Sequence, residues 1–524
     1  MTLELAMFPS LPPSFPPRRA AGLRRCALAL LLLACLQAGA ARAGEPPSKP
    51  AAGPDAAPAV TAFVHVAVLP MTRPGARLAD QTVIVRGDRI AAMGPAAEVP
   101  VPRGARVVDG GGSLTLLPGL ADLHVHLPPF PGAPDDPAQR VLALMVANGV
   151  TTARGMAGNP AHLVLRDRVA AGELLGPALY VAAPALHGGN TATLEAARAA
   201  VAAAAEAGYD LVKSHHIDDP AVWSAVQEAA TAAKLPVAGH VANEVGLERA
   251  MAAGQQVEHL DGFVAALLPP GAAPAEPWGQ FPPPELLAKV DRERIAPLAA
   301  EMARRGVWNV PTLSLFEQVT DVTTPTAQLA ARPEMAYASP EAVSQWSQQR
   351  EGMLHAGVFP PQYGEDFRRL RREIVAALAA AGAPLMAGSD TPQAFQLTGF
   401  ALHDEIAALA AAGLTPWQAL DAATAAPARY LRSLPREGSA TGRAADFGTV
   451  EPGRRADLLL VAGDPLADLG STRAIQGVML AGQWLDRPAL DRLLADAATA
   501  ARPEPPPAPA PAAAETPTEE DPRG

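Results

Sequence analysis

Cysteine is nearly absent from this chain. Of 524 residues only Cys26 and Cys35 carry a thiol, and both fall in the N-terminal leader. A mature protein without that leader has no disulfide and no thiolate chemistry. Basic patches are also missing. The formal net charge is −11, the pI is near 5.5, and no Lys/Arg run is interleaved with aromatic residues, which argues against a nucleic-acid binder. No second long apolar segment follows the leader, and no internal repeat stands out. What the chain does have is length, enough for a large catalytic domain beside a smaller one without disulfide staples. Heavy use of alanine weakens propensity arguments, because alanine favours helix almost anywhere.

The leader itself is informative. Arg18, Arg19, Arg24 and Arg25 precede an apolar run from Cys26 to Leu36, and Ala41-Arg42-Ala43 stands before Gly44. A basic start, a short apolar stretch and an A-x-A site describe an export signal over residues 1–43, too short for an ordinary membrane span. The expectation is a periplasmic protein. Leu32-Leu33-Ala34-Cys35 also resembles a lipobox, so the alternative is a lipoprotein held at the membrane through Cys35. Residues 44–60, rich in Pro, Ala and Gly, read as a linker.

Strand-like pieces follow at Phe63–Leu69, Val83–Arg86, Ile90–Met93 and Arg106–Asp109, with a tight hairpin expected at Gly87-Asp88. From about Leu116 to residue 440 short apolar strands alternate with Ala-rich helices, expected at 193–207, 221–233 and 366–381. Such alternation means a parallel sheet, and about eight units favour a (β/α)₈ TIM-type barrel in the α/β class. Thr415-Pro416-Trp417-Gln418 has the cap, Pro and Gln of a helix start. Residues 264–290 and 318–362 are proline-rich and aperiodic, and read as long loops over the barrel mouth. Segments 61–115 and 441–490 are strand-like and combine into a small composite β-sandwich built from both chain ends. The run 491–524 reads as a helix end followed by a disordered Pro/Ala/Glu-rich tail.

The chemistry is carried by residues at strand ends. In Leu117-Pro118-Gly119-Leu120-Ala121-Asp122-Leu123-His124-Val125-His126, strand alternation puts both histidines on one face. His240 ends Leu235–Gly239, His259 ends Gln256–Glu258 and Asp390 ends Leu385–Ser389. Lys213 ends Tyr209–Val212, where a buried lysine is expensive unless paired or modified. Four of the eleven histidines thus fall at strand tips. Imidazoles and carboxylates suit Zn²⁺ and similar divalent ions, and the absence of cysteine disfavours a structural zinc. Four histidines and an aspartate exceed the needs of one catalytic ion with an open position, so two ions sharing a ligand account for them better.

These pieces resemble the amidohydrolase superfamily, in particular its imidazolonepropionase-like and Xaa-Pro-dipeptidase-like members. Gly149-Val150-Thr151-Thr152, Val212-Lys213, Gly239-His240, Glu258-His259, Gly388-Ser389-Asp390 and the closing Gly448-Thr449-Val450-Glu451-Pro452-Gly453-Arg454-Arg455-Ala456-Asp457-Leu458 carry the likeness with the H-x-H segment, over about 60–487. The resemblance implies a metal-dependent hydrolase with His124, His126 and Asp390 on one cation, His240 and His259 on the other, and Lys213, carboxylated by CO₂, bridging both. It implies that the metals lower the pKa of water from about 15.7 toward about 7. Asp390 would be the catalytic group that takes the resulting hydroxide's proton and passes it to the leaving nitrogen. Relatives usually read Val-Arg-Asp where this chain has Ala153-Arg154-Gly155, which leaves Arg154 as a candidate substrate contact. His187 and His215 are further candidates at strand ends, and His216 adjoins them. His403 and Glu405 read as a solvated or supporting pair, and His65, His162 and His355 as structural or surface residues. The expected substrates are small molecules with amide bonds: small peptides, N-acyl amino acids, or Xaa-Pro dipeptides. The alternatives are a cyclic-amide hydrolase, a ring deaminase (disfavoured by Lys213), or an exported non-catalytic binding protein. A homo-oligomer is compatible with the sequence.

Overall fold

The computed structural model describes residues 59–129, 137–272, 279–434 and 445–502. The leader with Cys26 and Cys35, nearly all of the linker, and the tail beyond 502 lie outside the described residues. Among the described residues no helix is long and apolar enough to cross a membrane.

Five strands come first: β1 (Val60–Val68), β2 (Leu78–Arg86), β3 (Arg89–Pro95), β4 (Arg106–Asp109) and β5 (Leu114–Pro118). Seven parallel strands follow: β6 (Leu120–Val125), β7 (Val150–Gly155), β8 (Ala178–Val181), β9 (Val212–Ser214), β10 (Val237–Gly239), β11 (Gln256–Glu258) and β12 (Asn309–Val310). The last three are β13 (Leu458–Ala462), β14 (Ile475–Leu480) and β15 (Gln483–Asp486).

Both chain ends meet in one eight-stranded sheet, ordered β15-β14-β13-β5-β1-β2-β3 with β4 beside β1. The hairpin at Gly87-Asp88 forms as expected, with Arg86 opposite Arg89. The sheet wraps a core of its own, in which the edge of Trp484 on β15 meets Phe63 on β1 at 5.0 Å between ring centres. Strand alternation decides what each residue packs on. Leu116, Leu458 and Leu460 face this core, whereas Leu117 and Leu459 face the larger core around the parallel strands.

The parallel strands form two sheets, β6-β7-β8 and β12-β11-β10-β9, rather than one continuous ladder. Bridges at Ala182–Leu211 and Leu186–Ser214 link them on one side. On the other, segment 384–391 bonds β12 through Asn309, β6 through Leu123 and His124, and His126 just beyond β6. The helix Leu194–Ala207 is typical of those between the strands. Thr193 caps it, Ala197, Val201 and Ala204 form its buried stripe, and Gly208 at φ 82 ends it.

The stretch 318–362 is not the loop its prolines suggested. It is largely helical, with the end of Leu313–Thr320, then Thr326–Ala330, Pro333–Tyr337, Pro340–His355 and the start of Pro361–Ala381. Pro333, Pro340 and Pro361 sit in first turns, where the missing N–H has no helical partner to lose. In 264–290 the described residues hold only the short helices Phe263–Leu267 and Pro284–Leu287.

Candidate active site

His124 lies within β6 and His126 just beyond it, with ring centres 5.4 Å apart. His240 and His259 follow β10 and β11 directly, and Asp390 stands near the end of segment 384–391, between β12 and β6. Close strand approach makes this convergence possible. At Gly239 (φ 137) a Cβ would stand 2.2 Å from the Ser214 carbonyl oxygen, and at Gly388 2.8 Å from His124 Cβ. His259 (φ 60), Asp390 (φ 54) and Thr312 (φ 48) occupy the left-handed region without being glycine. Non-glycine residues hold that conformation only where their surroundings impose it.

The side chains meet. Asp390 Oδ1 is 2.8 Å from His126 Nε2 and 3.4 Å from His124 Nε2, and the rings of His259 and His124 are 4.7 Å apart, as are those of His259 and His240. His124, His259 and Asp390 each offer a ligand atom within 4.8 Å of the other two. Three of the imidazoles have Nδ1 held by an oxygen: Glu258 Oε2 for His124 (2.7 Å), Asp261 Oδ2 for His240 (2.7 Å) and Thr312 Oγ1 for His259 (2.8 Å). Acceptors there keep the proton on Nδ1 and leave Nε2 with a free lone pair. Burial, followed by the charge of Lys213, holds all three imidazoles well below their usual range. They are neutral donors of electron pairs at neutral pH.

Lys213, on β9, is 2% exposed, and among the described residues its ammonium has no ion pair. Burial lowers its pKa, while the charges of Glu258, Asp390 and Asp261 pull the other way. Neutral imidazoles and a carboxylate fit a divalent-cation centre. Asp122 anchors the turn that carries Asp390, accepting from Ser389 N at 2.9 Å and Ser389 Oγ at 2.6 Å. Burial pushes Asp122 up to about 7.

His215 is half-buried, its ring 4.6 Å from that of His240, and burial holds it at about 3. His216 is exposed and stacks on His240 at 5.4 Å. His187 stands on an exposed loop after β8, its Nδ1 accepting from Gly189 N at 3.1 Å. Arg154 is not a substrate contact. It is 1% exposed and donates to Leu123 O (2.6 Å), Glu258 Oε1 (2.7 Å) and Gln256 Oε1. A guanidinium so committed braces Glu258, and through it His124. The pair His403 and Glu405 is not solvated either. His403 bonds Thr472 Oγ1 and Asn148 O inside the protein, and Glu405 is 0% exposed. His65 and His355 lie on the surface, and His162 is buried against Pro128 O.

Glu258, Asp261, Thr312 and Arg371 escaped the sequence reading as participants. Glu258 had a usable signal, since an acid inside a buried strand raises the same question as Lys213. Arg371, which donates to the carbonyls of His259 and Pro311 at 2.7 Å each, had none among the arginines of its helix.

The model of the amidohydrolase family matches residues 115–485. The chain belongs to this family. Like other amidohydrolases it is a metal-dependent hydrolase of carbon–nitrogen bonds. Among solved structures, this amidohydrolase resembles bottromycin amidohydrolase (TM-score 0.63, 25% identity, covering 84% of this chain and 90% of that one). It also resembles a putative prolidase from Bifidobacterium longum (0.59, 23%, 85% and 100%) and a Xaa-Pro dipeptidase with bound methionine (0.58, 18%, 82% and 100%). These neighbours give it a TIM-barrel-type α/β fold. No curated protein sequence matches the chain.

Proposed function

We propose that this amidohydrolase cleaves the amide bond of small peptides or N-acyl amino acids, Xaa-Pro dipeptides among them. One observation carries the reading: His124 and His259, each with Nδ1 held by an oxygen, gather with Asp390 within 4.8 Å of one another, while His126 stands 2.8 Å from the same carboxylate and the His240 ring 4.7 Å from that of His259. In this reading His124, His126 and Asp390 hold one cation, His240 and His259 the other, and carboxylated Lys213 both. Carboxylation turns a buried cation into an anion, which answers the charge problem at that position. When bound, the cations (Zn²⁺ fits the donors) polarise the scissile carbonyl and acidify water. Asp390 then takes a proton and returns it to the leaving nitrogen. His215 and His216, whose rings adjoin that of His240, and His187, whose neighbour Gly188 bonds His216 O, orient the substrate by hydrogen bonds. Likeness to a putative prolidase and a Xaa-Pro dipeptidase supports proline on the leaving side.

The same reading closes the two parallel sheets and segment 384–391 into a (β/α)₈ barrel over 116–440, with 61–115 and 441–490 forming the sandwich. It places the mature protein in the periplasm. Metal analysis of the mature protein and a panel of N-acyl amino acids and dipeptides test it. About two divalent ions per chain with turnover of at least one acyl amino acid or dipeptide is the expected result. A folded chain that binds no divalent ion and leaves the whole panel intact overturns it.

A further inference from the structure

Thr312 precedes the helix Leu313–Thr320, where a threonine hydroxyl ordinarily accepts a hydrogen bond from the first free N–H groups. This one does not. Thr312 stands at φ 48, ψ 44 and makes no side-chain cap. Its hydroxyl donates to Pro311 O at 2.8 Å, which leaves Oγ1 as the acceptor for His259 Nδ1 at 2.8 Å.

The open cap is filled from another helix. Glu405, on Phe400–Ala411, accepts from Leu313 N at 3.0 Å through one oxygen and from Ser314 N at 2.7 Å through the other. Two acceptor oxygens suit that position, where the first N–H groups of a helix have no partner of their own, and burial pushes Glu405 up to about 7. Arg371, on Pro361–Ala381, holds the other side of the elbow. It donates to the Pro311 carbonyl that takes Thr312's proton and to the carbonyl of His259 itself. Its guanidinium lies 3.9 Å from the centre of the Phe316 ring, which keeps it in place.

We infer that Glu405 and Arg371 are positioning residues for the cation on His259: by holding the Pro311–Ser314 elbow they keep Thr312 as an acceptor, which fixes the His259 tautomer and aims Nε2. This rests on the two-cation reading above and extends it to residues that touch neither metal nor substrate.

Equilibrium dialysis of the full mature protein against Zn²⁺ alone, with thermal unfolding and a separation of kcat from KM, tests it. Thr312→Val should weaken one of the two ions by about 10- to 100-fold. Glu405→Gln, which keeps one acceptor, should weaken the same ion by about tenfold and lower kcat more than it raises KM. His403→Gln is the control, since His403 is buried on the same helix and among the described residues bonds only Thr472 and Asn148. It should lower the unfolding temperature and keep both ions at wild-type affinity. A Glu405→Gln protein that behaves like His403→Gln overturns the inference and leaves the function standing. Should Glu405→Gln fail to fold, Thr312→Val decides, because it leaves the cap intact; wild-type affinity there overturns the inference. Wild-type protein that binds no Zn²⁺ overturns the function, and the inference with it.

Discussion

Thr415 and Thr312 each stand just before a helix, and the two threonines do opposite things. Thr415 is extended, at φ −63, ψ 155, and caps its own helix: its Oγ1 accepts from Gln418 N at 3.3 Å while Gln418 Oε1 accepts from Thr415 N at 2.9 Å. Thr312 is buried and left-handed, and its hydroxyl serves a histidine while a carboxylate from another helix serves its N–H groups. The residue type is the same, so the surroundings decide. On the surface nothing competes for the hydroxyl and the local pattern prevails. At a strand end that faces the site, a ligand's need for an acceptor overrides it, and distant residues make good the loss.

If that division holds, damage at the site should separate cleanly from damage to the scaffold. The largest effect is expected at Asp390→Asn, where turnover should fall by about a thousandfold or more. The unfolding temperature should change little, as read by circular dichroism. Normal turnover in that variant would erase the distinction between the strand ends and the rest. Phe63→Ala is the reciprocal case. The ring is 0% exposed and packs on Trp484 in the composite sheet, so its removal should cost about 3–5 kcal/mol of stability. The folded fraction should keep its metal content and kcat; loss of metal would show that the sheet, too, shapes the site.

A smaller effect is expected at His162, a buried histidine that the scaffold rather than the site engages. Its Nε2 donates to Pro128 O at 2.9 Å, Nδ1 has no partner among the described residues, and burial lowers its pKa. Below about 6.5 an unfolded imidazole takes a proton that the folded one refuses. The stability tied to this residue is therefore present above that pH and lost as the pH falls below it. The metal-free protein is the one to titrate, comparing wild type with His162→Gln. The wild type should lose more stability between pH 7 and 5, and parallel curves would show that His162 protonates freely in the fold.

The same division explains what could be read from the sequence. The hairpin at Gly87-Asp88, the helix after Thr193, the capping box at Thr415 and the alternation that pairs His124 with His126 depend on residues within a few positions of one another. So do the strand-end positions of Lys213, His240, His259 and Asp390, since each closes a short apolar run. The prolines of 318–362 misled because proline at a first turn and proline in a loop look alike until the cap is seen. The groups that hold the histidines were out of reach for another reason. Arg371 and His259 are 112 residues apart, Glu405 and Leu313 are 92 apart, and Arg154 and Glu258 are 104 apart. No local period signals such pairs. Arg154 shows the cost, since its place beside a strand end points to a substrate contact whereas it braces Glu258 from within.

The smallest effect belongs to the threonine that follows the rule. Thr415→Ala removes an exposed cap that no ligand uses, which costs about 1 kcal/mol. In a chain of this size that amounts to a shift of only about a degree or two in unfolding temperature. Zn²⁺ affinity and kcat should match the wild type, because the helix Pro416–Ala422 carries none of the proposed ligands or the oxygens that hold them. Set beside Thr312→Val, this variant makes the contrast quantitative: one hydroxyl should move stability alone, the other should move metal affinity. If Thr415→Ala also loosened a cation, the local-versus-site division would fail, and the strand ends would have to be treated as coupled to every helix of the parallel-strand region.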